Sequence, residues 1–357
     1  MPKFHQATVI SKTPETADSF VLTLAIADSA AADFTYAQGQ HLPVRVTLNG
    51  KSVRRTYSLC ASVADNLLRL GVRIQDQGQF STYVAEQLQE GDILEVMPPF
   101  GRFNTKLEPG HRKIYAAFVA GSGITPILSI VKTTLETETD SQFLIFYGNR
   151  KRSTTMFVED LYALKNLYGE RLSLHFIMSR EPTDIELYAG RVDGEKVRAL
   201  HAAFLDHEKA DEIFVCGPNP MIDDITSTLT DIGYDPACIH SERFRAGLKG
   251  QAPVKPRPQN MPAGGTKVTV VVDGQRQSFQ MGVDDTSLLE AANENGLDLP
   301  FSCKGGVCST CRCRLTRGEV DMALNYALEP WEVEKGFILT CQSTPKTAEI
   351  ELDYDQI

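Results

Sequence analysis

Four cysteines carry the most specific chemistry in this 357-residue chain. Cys303, Cys308 and Cys311 stand in CKGGVCSTC, and Cys341 follows 30 residues after the third. C-x4-C-x2-C with a distant fourth thiol is the ligand spacing of a plant-type [2Fe–2S] cluster. Such a cluster needs four thiolates, three of them from one tight loop. Gly305 and Gly306 sit inside that loop, where a missing Cβ lets the backbone wrap and turn amide N–H groups toward sulfide. Zinc held by four thiolates is the alternative. It favours paired short knuckles over a four-residue gap and a lone fourth ligand. Cys313, beside the loop, reads as a packed thiol. Five of the eight cysteines fall in the last 55 residues, and clustered thiols in a reducing compartment hold metal more often than disulfides.

A second group of residues suits a flavin. Arg55-Thr56-Tyr57-Ser58 ends a strand whose alternation puts Arg55 and Tyr57 on one side. Arginine can hold a diphosphate, tyrosine can stack on an isoalloxazine ring, and the Ser58 hydroxyl can hydrogen-bond flavin N5. Downstream, Gly78-Gln79-Phe80-Ser81-Thr82 opens a helix, where free N–H groups and the helix dipole favour phosphate. Taken alone, Ser81 reads as an N-cap. The order and spacing of the two motifs join them.

A third group suits a nicotinamide nucleotide. The loop Gly121-Ser122-Gly123-Ile124-Thr125-Pro126 follows an apolar strand and precedes a helix. Its glycines allow close backbone approach, Pro126 suits the first helical turn, and a pyrophosphate fits that N-terminus. Gly123, Thr125 and Pro126 are the candidate contacts. The loop is not G-x-G-x-x-G, so it is not the usual Rossmann fingerprint. Cys216, Gly217 and Pro218 close a later strand; Cys216 is either a soft thiol beside the nicotinamide or a buried cysteine. Ser179, Arg180, Arg150 and Arg191 also follow strand ends. Three arginines there can hold a 2′-phosphate, which favours NADPH over NADH, although each alone also reads as a solvated charge. Ser58 and Cys216 are the candidates for catalysis.

These three stations make chemical sense together. A nicotinamide gives up two electrons as one hydride, whereas a [2Fe–2S] cluster takes one electron at a time. A flavin accepts the first and releases the second kind, so it fits between them.

The elements that must position these groups fall into parts. Residues 1–106 read as a small antiparallel β-barrel, with alternating runs at Gln6–Ser11, Ser19–Ala25, His41–Thr47 and Leu67–Ile74 and a helix at Ser81–Leu88. Residues 107–245 alternate apolar strands with helices, from Ile114–Ala120 through Met221–Ile232, which implies βαβ units on a parallel sheet. Residues 246–265 are rich in proline and glycine and read as a linker. Residues 266–357 form a separate module, opening with a hairpin at Asp273-Gly274 and a helix at Ser287–Asn295.

Composition narrows the function. Hydrophobic residues make up 42% and charged residues 23%, ordinary globular values that exclude disorder and coiled coil. The apolar runs fall short of the roughly 20 residues of a membrane span. Met1–Gln6 has no signal-peptide pattern, so the expected location is cytoplasmic. The net charge is −10, and residues from Ala263 onward hold 15 acidic against 8 basic side chains. That opposes nucleic-acid binding and suits either a solvated face or docking on a positive partner.

The motifs RTYSLC, AGSGITPIL, YGNR, SRE, FVCGPNPMIDD and SERF resemble those of the ferredoxin–NADP reductase superfamily, here fused to a C-terminal plant-type ferredoxin. LPFSCKGGVCSTCRCRL, GEVDMALNYALEPWE and GFILTCQS are similar to the ferredoxin half of the reductase subunits of phenylacetyl-CoA epoxidases. The resemblance spans essentially the whole chain. It implies a β-grasp fold for the C-terminal module, FAD as the flavin, NADPH as donor and a diiron oxygenase as protein partner. It also implies that Glu242 and Phe244 in SERF lie near the far side of the flavin; otherwise SERF only begins the linker. A reductase of another oxygenase, using FMN and NADH, and a redox sensor without turnover are the competing readings.

Overall fold

The computed structural model describes residues 3–244, 262 and 264–356. Most of the expected linker, residues 246–261 and 263, lies outside the described residues. The chain divides into two compact units. One is made of Phe4–Val53 and Tyr57–Arg243; the other is chiefly the chain from Phe244 onward, with Lys3 and Arg54–Thr56.

The first unit opens with a six-stranded antiparallel sheet. Its strands are β1 (His5–Thr16), β2 (Ser19–Ile26), β3 (His41–Leu48), β4 (Lys51–Ser58), β5 (Leu68–Arg73) and β6 (Ile93–Val96), in the order β4-β3-β6-β1-β2-β5. A bridge between Leu59 and Leu70 brings the two edges together, closing the expected barrel. Alternation turns Val9, Leu22, Leu42, Val44, Val72 and Val96 fully inward. Helix α1 (Gln79–Glu86) caps that core with Phe80 and Val84. It starts two residues earlier than the sequence suggested, because Gly78 is its N-cap.

A parallel sheet follows. Strands β7 (Ile114–Ala120), β8 (Gln142–Asn149), β9 (Leu172–Met178), β10 (Glu212–Cys216) and β11 (Ile239–Glu242) stand in the order β11-β10-β7-β8-β9. Every neighbouring pair is parallel. Helices α2 (Ile124–Thr137) and α3 (Val158–Tyr168) pack with Ala117, Val119 and Ile145 into one core. Helices α4 (Gly194–Phe204) and α5 (Asn219–Ile232) pack with Ala116, Phe118 and Phe146 into another. Burial on both faces explains why β7 reads IYAAFVA, apolar throughout; a buried Phe118 alone contributes about 1.5–3 kcal/mol. The strand order reverses between β7 and β10, and ligands of open α/β sheets bind outside the carboxyl ends of the strands at such a point.

At the opposite end of this sheet, Glu138 is fully buried. Its carboxylate accepts from the hydroxyls of Ser141 (2.8 Å) and Tyr115 (2.9 Å) and from the Glu108 N–H (3.1 Å), and it lies 2.8 Å from His111 Nδ1. Burial pushes this carboxyl up, but the hydrogen bonds outweigh burial and hold it below its ordinary value. The stabilisation is therefore present above the unfolded-state pKa and lost as pH falls through the lower folded-state one. Glu138→Gln is expected to cost about 1–3 kcal/mol at pH 7, in urea melts whose difference from wild type shrinks on acidification.

The second unit carries β12 (Thr266–Val272), β13 (Gln275–Met281), α6 (Leu288–Glu294), β14 (Arg312–Arg317), β15 (Val320–Met322), α7 (Pro330–Glu334), β16 (Phe337–Leu339), β17 (Ser343–Pro345) and β18 (Glu349–Asp353). Its main sheet runs β13-β12-β18-β14-β16, with β12 and β18 parallel and the other pairs antiparallel. This is the β-grasp arrangement the resemblance implied. Asp273 and Gly274 have φ of 48° and 74°, the two positive values that a tight hairpin matching strand twist requires. Ser287 caps α6 by accepting from the Glu290 N–H at 3.2 Å. Among the described residues no helix is long and apolar enough to cross a membrane.

Candidate functional site

The flavin candidates lie on β4 and at the start of α1. Arg55 is exposed and Thr56 is half-buried. Tyr57 is half-buried against the barrel core, its ring 5.3 Å from that of Phe80. The Ser81 hydroxyl turns inward, accepting from the Gln75 N–H (3.0 Å) and donating to the Gly78 carbonyl (3.1 Å). Ser81 thus locks the turn that presents the helix. The groups left for an anion are the first-turn N–H groups of Gln79, Phe80 and Ser81, which lack intrahelical carbonyls, whereas the Thr82 N–H already donates to the Gly78 carbonyl at 2.9 Å. Within the first unit, a half-exposed ring suits stacking on a flavin and an open helix N-terminus suits its diphosphate.

Ser58 ends β4 and is buried. Its hydroxyl donates to Glu242 Oε2 at 3.2 Å, and His41 Nδ1 stands 3.4 Å from Oε1. All three are less than one tenth exposed. Glu242 is the last residue of β11, in register with Cys216 at the end of β10. SERF therefore completes the parallel sheet before any linker begins. Phe244 follows it with 40% of its surface exposed.

The nucleotide candidates gather at the switch point. Gly123 has ordinary helical angles, φ −59° and ψ −15°, so backbone freedom does not explain it. Contact does: a Cβ there would lie 2.4 Å from the Cys216 carbonyl oxygen. The Gly121 carbonyl accepts from the buried Tyr147 hydroxyl at 2.9 Å, and the Thr125 hydroxyl donates to the Ser122 carbonyl at 2.8 Å. Pro126 is buried in the first turn of α2. Gly217 packs on Ala120 and Met221, and Pro218 is the N-cap of α5. Burial, then the nearby Glu242 carboxylate, pushes the Cys216 thiol well above its ordinary pKa. Cys216 is thus a neutral, fully buried thiol at neutral pH, not a nucleophile. At Gly123 the loop has no room for a side chain.

Arg150 and Arg180 follow β8 and β9, and the Arg180 N–H donates to the Arg150 carbonyl at 3.0 Å. Ser179 bonds the Asn149 carbonyl through both its N–H and its hydroxyl. A further bridge sets Ala189 beside Met178, and Arg191 follows it. The three arginines are exposed at adjoining strand ends. None forms an ion pair among the described residues.

In the second unit Cys308, Cys311 and Cys341 are buried and Cys303 is half-buried. The Cys303 N–H lies 3.5 Å from Cys308 Sγ, and the Gly305 N–H donates to Cys303 Sγ at 3.3 Å. The Thr310 hydroxyl meets Cys308 Sγ at 3.1 Å. Hydrogen bonding with Cys308, then burial, pushes the Cys303 thiol up, and Cys341 and burial do the same to Cys311. The Cys303 thiol in turn holds Cys308 below the ordinary thiol range. The four sulfurs therefore feel one another pairwise. Among the described residues no three His, Cys, Asp or Glu side chains converge on a single-ion position. A two-iron cluster asks for two thiolates on each iron with sulfide between, so its ligands need not share one point. Cys313 is fully buried, on the core side of β14, a packed thiol.

Comparison with known proteins finds three domains along the chain. An oxidoreductase FAD-binding domain model matches residues 6–105, an oxidoreductase NAD-binding domain model 118–227, and a 2Fe-2S iron-sulfur cluster binding domain model 270–346. The chain is 40% identical over 356 residues to one of the 1,2-phenylacetyl-CoA epoxidase subunits of Escherichia coli (strain K12), covering 99% of each. The chain belongs to that family of FAD- and [2Fe–2S]-dependent oxygenase reductases. It is also 32% identical over 355 residues to the ferredoxin reductase component of 3-ketosteroid-9-alpha-monooxygenase from Rhodococcus rhodochrous, covering 97% of this chain and 96% of that one. Phthalate dioxygenase reductase shares the fold, with a TM-score of 0.59, 24% identity and 98% of each chain covered.

As an oxygenase reductase, the protein has two features that motif reading did not supply. His41 has no sequence signal beyond opening a strand. Tyr147 opens the YGNR motif, but the motif did not show that its hydroxyl holds the Gly121 carbonyl and so fixes the glycine loop.

Proposed function

We propose that this oxygenase reductase serves a phenylacetyl-CoA epoxidase with a diiron oxygenase component, working in the cytoplasm with NADPH as donor. The observation that carries the choice of partner is identity running at 40% through 99% of both chains, against 32% for the ketosteroid system. Domain boundaries near 106, 245 and 265 belong to this reading; the gap between β6 and β7 supports the first of them.

Arg55, Thr56, Tyr57, Ser58 and the first turn of α1, with Gly78, Phe80, Ser81 and Thr82, are assigned to FAD. Gly123, Thr125, Pro126, Cys216, Gly217 and Pro218 are assigned to the nicotinamide nucleotide, and Glu242 and Phe244 to the flavin's far side. Cys303, Cys308, Cys311 and Cys341 are assigned to the cluster. A flavin held by these residues would supply the conversion of a hydride into single electrons. The chain's own contribution is order. Ser58 holds a hydroxyl at a fixed place because Glu242 accepts from it. The buried, neutral Cys216 backs the glycine loop through its carbonyl at Gly123, and that loop keeps backbone against the nucleotide. Reconstitution with a phenylacetyl-CoA epoxidase oxygenase component tests the partner: NADPH consumption must rise with phenylacetyl-CoA and dioxygen and yield the epoxide. Absence of coupling, with artificial acceptors still reduced, would reject it.

Arg150, Ser179, Arg180 and Arg191 are assigned to the 2′-phosphate. A planar guanidinium matches phosphate geometry. Arg180→Ala is expected to raise the KM for NADPH about tenfold and leave that for NADH nearly unchanged. Equal rises for both nucleotides would remove the phosphate assignment.

A further inference from the structure

The C-terminal unit is acidic, yet three of its cations meet in one place. From Ala263 onward there are 15 acidic and 8 basic side chains. Arg312, Arg314 and Lys335, with Trp331 and Phe337, line an open concavity of about 480 Å³. No carboxylate is among its lining residues. The Arg312 guanidinium lies 3.8 Å from the Phe337 ring centre, and Lys335 Nζ lies 4.8 Å from that of Trp331. Glu332 answers Arg312 at 2.8 Å but is itself buried beneath the surface. Arg314 bonds the Gln356 side chain at 2.7 Å and faces Asp353 across the strand pair. Trp331, the chain's one tryptophan, is 45% exposed, and Val333 on the same short helix is 43% exposed. Exposed tryptophan beside arginine is the composition of an energetic centre in protein interfaces.

The concavity also lies next to the cluster ligands. Arg312 adjoins Cys311, so their Cα atoms are about 3.8 Å apart. Across the sheet Arg312 pairs with Leu339, two residues before Cys341. The Thr340 N–H donates to the Cys311 carbonyl at 3.3 Å. A protein seated on this surface is therefore within a few bonds of two of the four thiolates.

We propose that this basic–aromatic concavity is the docking site for an acidic surface of the oxygenase component, and that it sets where electrons leave the chain. The proposal deepens the epoxidase-reductase reading and rests on it. Arginine and lysine would steer the encounter, while Trp331 and Phe337 supply the desolvated contact.

The test measures affinity between the intact, cofactor-loaded reductase and the oxygenase component of a phenylacetyl-CoA epoxidase by surface plasmon resonance at several salt concentrations. Coupled NADPH oxidation is measured in parallel and divided by each protein's ferricyanide rate. Arg314→Glu with Lys335→Glu, and separately Trp331→Ala, are expected to weaken Kd by about tenfold or more. The charge-reversed pair is also expected to flatten the salt dependence. Lys267→Glu with Lys346→Glu changes net charge equally at exposed positions outside the concavity and is expected to stay within about twofold. Wild-type binding left unchanged by both concavity variants, or weakened as much by the control pair, overturns the docking site and leaves the choice of partner standing. No binding by any of the proteins, wild type included, overturns that choice and the proposal with it.

Discussion

Cys308→Ser is expected to abolish electron delivery to an oxygenase or to cytochrome c while NADPH–ferricyanide reduction continues. The reasoning starts from ligand chemistry. Iron in these clusters is held by thiolate, and a serine hydroxyl does not give up its proton at neutral pH as a metal-bound thiol does. Cys308 is also the best supported sulfur of the quartet, with the Cys303 N–H, the Cys303 thiol and the Thr310 hydroxyl around it. Those three groups would meet a smaller, harder oxygen. Loss of outer supports alone costs about 10–100-fold at metal sites, so loss of the ligand is expected to lower the coupled rate by at least about 100-fold. The nucleotide candidates, and the flavin candidates from Tyr57 through Thr82, belong to a different compact unit from the cysteines. The ferricyanide rate is therefore expected to hold within about twofold of wild type. The decisive measurement is the ratio of coupled to ferricyanide rate, together with the paramagnetic signal of the reduced cluster. If both rates vanish together, the cluster serves the fold before it serves transfer.

How much of this was legible in the residues depended on how local each signal is. The cluster ligands are a short-range pattern, because three thiolates must come from one loop whatever the rest of the chain does. The parallel sheet was legible because β7 and β8 are buried on both faces, which leaves runs such as Ile114–Ala120 without polar breaks. Strand β11 was not. Ile239-His240-Ser241-Glu242 is short, polar and half-exposed, and it is a strand only because β10 offers it a parallel edge. The residues of SERF therefore read as a flavin contact, by resemblance, or as the start of the linker, and not as the end of a sheet. The Ser81 hydroxyl suits an anion or a helix cap in sequence, but the Gln75 N–H six residues back donates to it and holds it in the turn. His41 illustrates the limit: its approach to Glu242 spans 201 residues of chain, and no periodicity encodes that.

Gly123→Ala is the second large effect, and it follows from a distance. The backbone angles at Gly123 suit any residue, so alanine there would be harmless in an isolated helix. In this fold its Cβ would lie 2.4 Å from the Cys216 carbonyl oxygen, 2.8 Å from the carbonyl carbon and 3.2 Å from Sγ. The obstructing atoms are backbone, and the ladder pairing Val119 with Cys216 ties β7 to β10, so neither strand can retreat alone. The overpacking is expected to cost about 1–3 kcal/mol of stability. The functional loss is larger. Relief of the clash moves either the glycine loop or the end of β10, and the latter carries Glu242 with it through the β10–β11 register. A displacement near 1 Å at a positioning group costs about 100-fold in rate, and that fall is expected in the rate of flavin reduction by NADPH, read by stopped flow in protein with normal flavin and iron content. Gly121→Ala sorts the contact argument from a general intolerance of side chains in the loop. Gly121 has φ of 56°, and its nearest neighbour to a new Cβ is the end of the Arg73 side chain at 3.4 Å. Alanine there is strained by about 1–2 kcal/mol but obstructs no backbone, so stability drops while flavin reduction falls much less than in Gly123→Ala. Equal rates for Gly123→Ala and wild type would show that the loop does not seat the nucleotide.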